Sequence, residues 1–296
     1  MRVMVTGRQG QVARCLVERA AGRDGLELIP AGRPDADLAV PGSLARAILA
    51  LRPDVVVNAA AFTAVDGAED EPDQAFRVNA DAAGEAAAAA RDIGARIIQL
   101  STDYVFDGRR EGLLDEDAPT NPLGVYGRSK LAGEEQVRAA NPQHVIVRTA
   151  WLYSPFGRNF VRTMVEAART RDTLSVVDDQ FGSPTSALDL ADGLLAMIHR
   201  WDRGEPAGVG NTYHLAGSGT TSWFGLAREV MDVCAAIGLP AAEVRPIRTQ
   251  DWPTRAARPR NSALDSGRFA RDLGFVMPEW RQSVGEVVRR LQQDQG

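Results

Sequence analysis

Tyr126 and Lys130 stand at i and i+4 in the phrase Tyr126-Gly127-Arg128-Ser129-Lys130, with Ser101-Thr102 upstream. On a helix such a pair shares one face, its Cβ atoms roughly 5–6 Å apart. An ammonium beside a phenol favours the phenolate, so the spacing predicts a phenol pKa below its usual value of about 10 and easier proton transfer near neutrality. Thr102 is placed to leave a strand at its carboxyl end, where open α/β sheets bind their ligands. Its hydroxyl can hold a carbonyl oxygen against Tyr126. A proton delivered to a carbonyl oxygen is half of a carbonyl reduction, and the other half is a hydride from a nicotinamide. Lys130 is also placed to hold the ribose of such a cofactor.

The place for that cofactor is Gly7-Arg8-Gln9-Gly10, directly after the apolar run Val3-Met4-Val5-Thr6. A strand that turns sharply into a helix through glycines lets bare backbone approach a pyrophosphate, whose charge the helix N-terminus stabilises. Ala13 supplies the third small position less well than glycine would. A tight turn with no ligand is the competing reading. NAD-selective sites place a carboxylate at the end of the second strand. Here Leu28-Ile29-Pro30-Ala31-Gly32-Arg33 carries no acid and one arginine. Arg33 can pair with a 2′-phosphate, so NADPH is the expected cofactor and NADH the alternative. Asp37 and Leu38 are expected beside the adenine.

The elements that must position these groups follow from periodicity. Strands are predicted at Val3 to Thr6, Leu26 to Ile29, Asp54 to Asn58, Arg96 to Leu100 and Val145 to Arg148. Between them lie helices at Gln11 to Ala21, Ser43 to Leu51 (capped by Ser43) and Pro72 to Arg91, and a further helix containing Lys130. Strands alternating with helices imply parallel pairing through right-handed crossovers. The expected fold is therefore α/β, a doubly wound parallel Rossmann sheet with a smaller C-terminal substrate-binding lobe. Residues 1–150 are read as the dinucleotide-binding domain and 151–296 as the lobe, some of whose segments return to the sheet. In the second half, helices are predicted at Asn159 to Thr170, Asp189 to Arg200, Ser222 to Ile237 and Trp280 to Gln292. Strands are predicted at Leu174 to Val177 and Asn211 to Ala216, and Pro246 to Pro259 is a Pro/Arg-rich stretch.

The 296 residues are 44% hydrophobic and 25% charged, ordinary for a soluble enzyme with a large core. A net charge of −5 argues against a general nucleic-acid binder, which needs excess cations for phosphates. No apolar run is long enough for a membrane span. Cys15 and Cys234 are too few for a disulfide framework, and no leader precedes the first strand, so a cytoplasmic location is expected. His144, His199 and His214 lack metal-site spacing.

At this level of detail the chain resembles the extended short-chain dehydrogenase/reductases and, more narrowly, the dTDP-4-dehydrorhamnose reductase family. The matching phrases include Gly7-Arg8-Gln9-Gly10-Gln11-Val12, Arg52-Pro53-Asp54-Val55-Val56-Val57-Asn58-Ala59-Ala60-Ala61 and Thr63-Ala64-Val65-Asp66. Ser101-Thr102-Asp103-Tyr104-Val105-Phe106-Asp107-Gly108 is the most specific, and Tyr126-Gly127-Arg128-Ser129-Lys130-Leu131-Ala132-Gly133-Glu134 follows it. Arg148-Thr149-Ala150-Trp151, Asp179-Gln180-Phe181-Gly182-Ser183-Pro184-Thr185 and Arg258-Pro259-Arg260-Asn261-Ser262 extend the likeness over nearly the whole chain. The resemblance implies NADPH-dependent reduction of the C4 ketone of dTDP-4-dehydro-6-deoxy-L-mannose to dTDP-L-rhamnose. It implies Tyr126 as proton donor, Lys130 as its cofactor-binding partner, and Thr102, helped by Asp103, on the carbonyl, with Trp151 near the sugar. Gly10, Gln11 and Val12 would cradle the pyrophosphate, while Ala61, Phe62 and Thr63 lie beside the cofactor.

The substrate's pyrophosphate needs cations, and arginine forks suit such oxygens. Arg255, Arg258 and Arg260 cluster in the Pro-rich loop, with Arg245 and Arg248 just before; Arg255 and Arg258 are the expected ligands. Phe62 stands where histidine is common in the family. Some relatives dimerise through a magnesium held by glutamates, and one such position falls near Cys15, a poor magnesium ligand. No metal and no metal-bridged dimer is expected; a homodimer of another kind stays open.

Other sugar-nucleotide 4-ketoreductases share every phrase quoted. A dehydratase needs a glutamate where Tyr104 stands, and an epimerase needs tightly held NAD, which the missing acid disfavours. A dinucleotide-binding regulatory subunit is the non-enzymatic alternative, and the intact set Thr102, Tyr126 and Lys130 weighs against it.

Overall fold

The computed structural model of the protein describes residues 1–293. β1 (Arg2–Thr6) leads through the glycine turn into α1 (Gln11–Ala20), then β2 (Glu27–Ala31), α2 (Ser43–Leu51) and β3 (Val55–Asn58). Short α3 (Val65–Asp70) precedes α4 (Pro72–Phe76), a π-helical turn over Arg77–Asp81, and α5 (Ala82–Asp92). β4 (Arg96–Thr102) runs into a 3₁₀ turn at Asp103–Val105, and α6 (Val125–Ala140) is followed by β5 (His144–Thr149).

The second half contributes β6 (Leu152–Tyr153), α7 (Phe160–Ala167), β7 (Thr173–Val177), β8 (Phe181–Gly182) and β9 (Thr185–Ser186). After these come α8 (Ala187–Asp202), β10 (Thr212–His214), β11 (Thr221–Ser222), α9 (Trp223–Ala236) and β12 (Glu243–Ile247). A 3₁₀ turn at Thr249–Asp251, α10 (Gly267–Leu273) and α11 (Trp280–Gln293) complete the order.

Six strands form one parallel sheet in the order β10-β5-β4-β3-β1-β2. Strands buried on both faces read as unbroken Val and Ile runs because alternate side chains feed different cores. Val3, Val5, Val55, Val57, Ile98, Val145 and Val147 pack into one core with residues of α1, α8, α9 and α11. Met4, Val56, Ile97 and Ile146 pack on the other face against α2 and the alanines of α5. The expected doubly wound α/β arrangement is thus present. From β1 the chain winds outward to β2, then returns to β3 and builds the other way, so the topological switch lies between β1 and β3.

Two local expectations need correction. Ser43 does not cap α2: Gly42 does, at φ +71°, while the Ser43 hydroxyl accepts the Asp37 N–H at 3.1 Å. The helix expected from Pro72 to Arg91 is broken by its π turn, because tertiary contacts around Asn79 override the alanine-rich propensity. The Pro/Arg-rich stretch from Pro246 to Pro259 begins as the end of β12, which pairs with β7.

Candidate active site

The glycine turn opens onto the β1/β3 switch point, the place where doubly wound sheets bind ligands. Gly7 has φ +89°, and a Cβ there would crowd Ala60 at 3.3 Å. Gly10 ends the turn and donates to the Gly7 carbonyl (2.6 Å), leaving the first amides of α1 without side-chain caps. A cavity of about 460 Å³ is lined here by Gly7, Gly10, Arg33, Asp37, Leu38, Ala61 and Phe62 among others. These residues fit a dinucleotide: bare backbone and a helix start for the diphosphate, Asp37 and Leu38 further out, and the Arg33 cation at the rim. Gln11, Val12 and Thr63 do not line the cavity. The Gln11 side chain accepts the Ser154 hydroxyl (2.8 Å), Val12 is buried and Thr63 is exposed.

Below the switch point a polar ladder ties the ends of β1 and β3 to the middle of β4. Thr6 donates to Asn58 (2.8 Å), Asn58 donates to Gln99 (2.7 Å), and the Thr6 hydroxyl accepts the Ala59 and Ala60 amides. Buried polar side chains satisfied in this way fix the loop after β3.

The second half of the site is where β4 ends and α6 begins. Thr102 ends β4 and caps the 3₁₀ turn, accepting the Tyr104 N–H (3.3 Å) and donating to Asp103 (3.0 Å). α6 lies tight against that turn because Gly127 has no side chain; a Cβ there would collide with the Tyr104 carbonyl. Glu69 of α3 accepts the Val125 N–H at 2.7 Å at the start of α6. Tyr126 stands edge-on to Tyr104 at 5.6 Å and shares a small apolar cluster with Phe62. The structure therefore brings Thr102, Asp103 and Tyr126 together, with Phe62 of the cofactor loop beside the phenol.

In the ligand-free chain, burial works against the expected acidification of the phenol. Burial pushes Tyr126 up to about 12, against the pull of the Thr102 hydroxyl, and the Asp103 carboxylate adds to the rise. The Lys130 ammonium does not counter this because it points elsewhere, donating to the Leu100 carbonyl at 2.7 Å. Burial lowers Lys130 to about 8, with Glu134 alone working to keep it charged. Asp103 is raised to about 6 by burial, opposed by the nearby Ser262 and Thr102 hydroxyls. Its Oδ2 is buried without a partner.

Three residues that sequence reasoning left unassigned hold this assembly. Glu134, fully buried, accepts Ser101 (2.6 Å), Nε and Nη2 of Arg148 (2.8 Å each) and Arg138 (2.8 Å). Burial would raise its pKa, but these cations and the serine hold it low. Asn79, in the π turn, accepts the Phe62 N–H (2.8 Å) and donates to the Phe62 carbonyl (3.1 Å) and to Ser129 (2.9 Å). Ser129 in turn donates to the Tyr126 carbonyl (2.8 Å), so the cofactor loop and the phenol's helix are joined by side chains. Glu134 was legible as the residue four beyond Lys130; Asn79 gave no signal within an alanine-rich helix.

A second cavity, of about 810 Å³, lies between the Asp107–Leu113 loop and the Arg258–Asn261 segment, with Arg109, Arg110, Arg258 and Arg260 in its walls. Arg258 bonds to Asp66 (2.8 Å) and lies over the Tyr104 ring, so it connects this cavity to the phenol. One of its terminal nitrogens, Nη1, is buried without a partner. Arg255 lies outside the lining, exposed and paired with Asp70. Trp151, at the carboxyl end of β5, is partly exposed and stacks on Trp223. Among the described residues no cluster of His, Cys, Asp or Glu is arranged for a metal, and no helix is long and apolar enough to cross a membrane.

The sequence model for the RmlD substrate binding domain matches residues 1–293. A dTDP-4-dehydrorhamnose reductase of Sinorhizobium fredii is 43% identical over 291 residues, 98% of each chain. Among solved structures, a dTDP-4-dehydrorhamnose reductase of Clostridium acetobutylicum superposes with TM-score 0.91 at 37% identity, covering 99% of this chain and 100% of that one. The Bacillus anthracis enzyme of the same name, in complex with NADP, gives 0.88 at 34%, covering 97% and 98%.

Proposed function

The chain belongs to the RmlD substrate binding domain family, and from that membership we propose that it is an NADPH-dependent dTDP-4-dehydrorhamnose reductase. The substrate is then dTDP-4-dehydro-6-deoxy-L-mannose and the product dTDP-L-rhamnose. The observation that carries this reading is the convergence of Thr102, Asp103 and Tyr126 at the carboxyl end of β4, beside the Phe62 loop.

Gly7, Gly10, Arg33, Asp37, Leu38, Ala61 and Phe62 would hold the cofactor, which when bound would supply the hydride for the C4 carbon. Thr102 orients the ketone oxygen, and Tyr126 gives it a proton. A phenol near 12 is a reservoir that stays protonated until an alkoxide, a far stronger base, develops against it. Lys130, held through the Leu100 carbonyl, binds the ribose side of the cofactor. Asp103 steadies Thr102 from behind. Trp151 lies at the sugar, and Arg258 and Arg255 turn from Asp66 and Asp70 to the diphosphate. Residues 1–150 would carry the cofactor and 151–296 would close over the sugar nucleotide.

The test is incubation of the purified protein with the dTDP-linked 4-keto-6-deoxysugar and NADPH, following cofactor absorbance and identifying the product by NMR. One NADPH consumed per ketone, with a rhamnose product, is expected. Sugar conversion without net cofactor consumption would instead mean epimerisation.

A further inference from the structure

Trp151 carries a backbone conformation that its side chain disfavours. Its φ of +45° lies in the left-handed region, shared among described non-glycine residues only with Arg52. A bulky residue stays there only where its surroundings enforce it, and such residues gather at functional sites. Three neighbours do the enforcing. The Trp223 indole lies flat on that of Trp151, with ring centres 3.6 Å apart and planes within 6°. Gly182 leaves the space the indole occupies: a Cβ there would fall 2.6 Å from Trp151 Nε1. The Thr185 N–H holds the Trp151 carbonyl at 3.3 Å.

These parts come from separate segments. Gly182 is in β8, which pairs with β11 through Thr221, and Ser222 then caps α9, whose first residue is Trp223. Phe160 packs against Trp223 at 4.8 Å. A short antiparallel pair thus delivers both the gap and the buttress to the end of β5. That end neighbours the catalytic strand end, since Thr149 pairs in register with Thr102.

We propose that Trp223 and Gly182 are positioning residues: they set the Trp151 indole as a rigid wall against the sugar ring and so govern affinity for the sugar nucleotide. The proposal rests on the reading that Trp151 lies at the sugar. A wall fixed in advance loses little freedom on binding, and the apolar C–H face of a hexose ring is what a flat indole accepts.

The experiment combines circular dichroism with steady-state kinetics on Trp223→Leu, Trp223→Phe, Gly182→Ala and Trp151→Phe, with thermal melts to confirm folding. Stacked indoles produce an exciton couplet in the far ultraviolet. We expect the couplet in the parent protein and its loss in Trp223→Leu and Trp151→Phe. Trp223→Leu should raise the KM for the sugar nucleotide roughly three- to tenfold, the scale of one aromatic pair, with kcat and the KM for NADPH held. Trp223→Phe should restore most of that affinity, and Gly182→Ala should behave as Trp223→Leu does. If Gly182→Ala does not fold, the Trp223 variants decide alone. No couplet in the parent protein, or a couplet lost in Trp223→Leu with the sugar KM unchanged, overturns the proposal. Should Trp151→Phe leave the sugar KM unchanged, the placement of Trp151 falls and the positioning role with it. If Trp151→Phe raises that KM while Trp223→Leu does not, only the positioning role falls.

Discussion

Arginine serves the two sides of this site in opposite ways. Beneath it, Arg148 is buried, with Nε and Nη2 bonded to a carboxylate that is itself fully enclosed and Nη1 left without a partner. At the rim, Arg255 and its partner Asp70 are half or more exposed, and Arg258 holds an Asp66 carboxylate that is 43% exposed. A buried pair cannot release a partner without stranding the other charge, whereas an exposed pair is worth little and exchanges readily. The floor is therefore built to stay fixed and the rim to change partners when a ligand arrives.

Substitutions can break or sharpen that contrast. The largest effect belongs to the phenol: Tyr126→Phe should reduce kcat on the order of 10²–10⁴-fold while the melting temperature and the sugar KM hold. A matching fall in stability would make Tyr126 part of the floor's structure instead. Glu134→Gln, which strands the Arg148 charge, should cost about 3 kcal/mol in urea unfolding. A loss under about 1 kcal/mol would mean the floor is no more tightly built than the rim.

The pH dependence separates the two regions next. Lys130 sheds its proton near 8, so NADPH affinity should weaken as pH rises through about 8. Lys130→Arg, charged throughout, should flatten that limb even where overall affinity drops. The same shift has a stability sign. The folded pKa lies below the ordinary 10.5, so the native state binds fewer protons between about 8 and 10.5, and this residue's contribution to stability improves across that window as pH rises.

At the rim, Arg33→Ala should raise the KM for NADPH about tenfold, the value of one charged hydrogen bond, and barely move that for NADH. Equal effects on both would remove the 2′-phosphate role. The smallest effects are expected in the Pro/Arg loop. Arg258→Ala should raise the sugar-nucleotide KM several-fold, and Arg255→Ala about twofold, in line with its exposure. A reversed order would show that Arg255 swings further inward than its ion pair suggests.

The sheet and the chemical residues were legible because their signals are local. Val3 to Thr6 followed by Gly7 and Gly10 reads as strand, turn and helix without any partner, and Tyr126 with Lys130 needs only the helical repeat. The elements that escaped depend on contacts far apart in the chain. The π turn exists because Asn79 ties to Phe62 and Ser129, and no feature of an alanine-rich helix encodes that. The phenol's raised pKa follows from burial and from Lys130 turning to the Leu100 carbonyl, both properties of packing. The Trp151–Trp223 stack joins residues whose pairing only β8 and β11 make possible.

The short strand β10 has a practical consequence for anyone dividing this chain. It covers β5, with the Ile146 N–H bonded to the Asn211 carbonyl and the Leu215 N–H to that of Arg148. A fragment stopped near residue 150 would leave β5 as a bare, Val/Ile-rich margin open to a neighbouring molecule's backbone. Such a fragment should precipitate during expression, and grafting a different lobe onto this scaffold should succeed only where the graft brings its own covering strand.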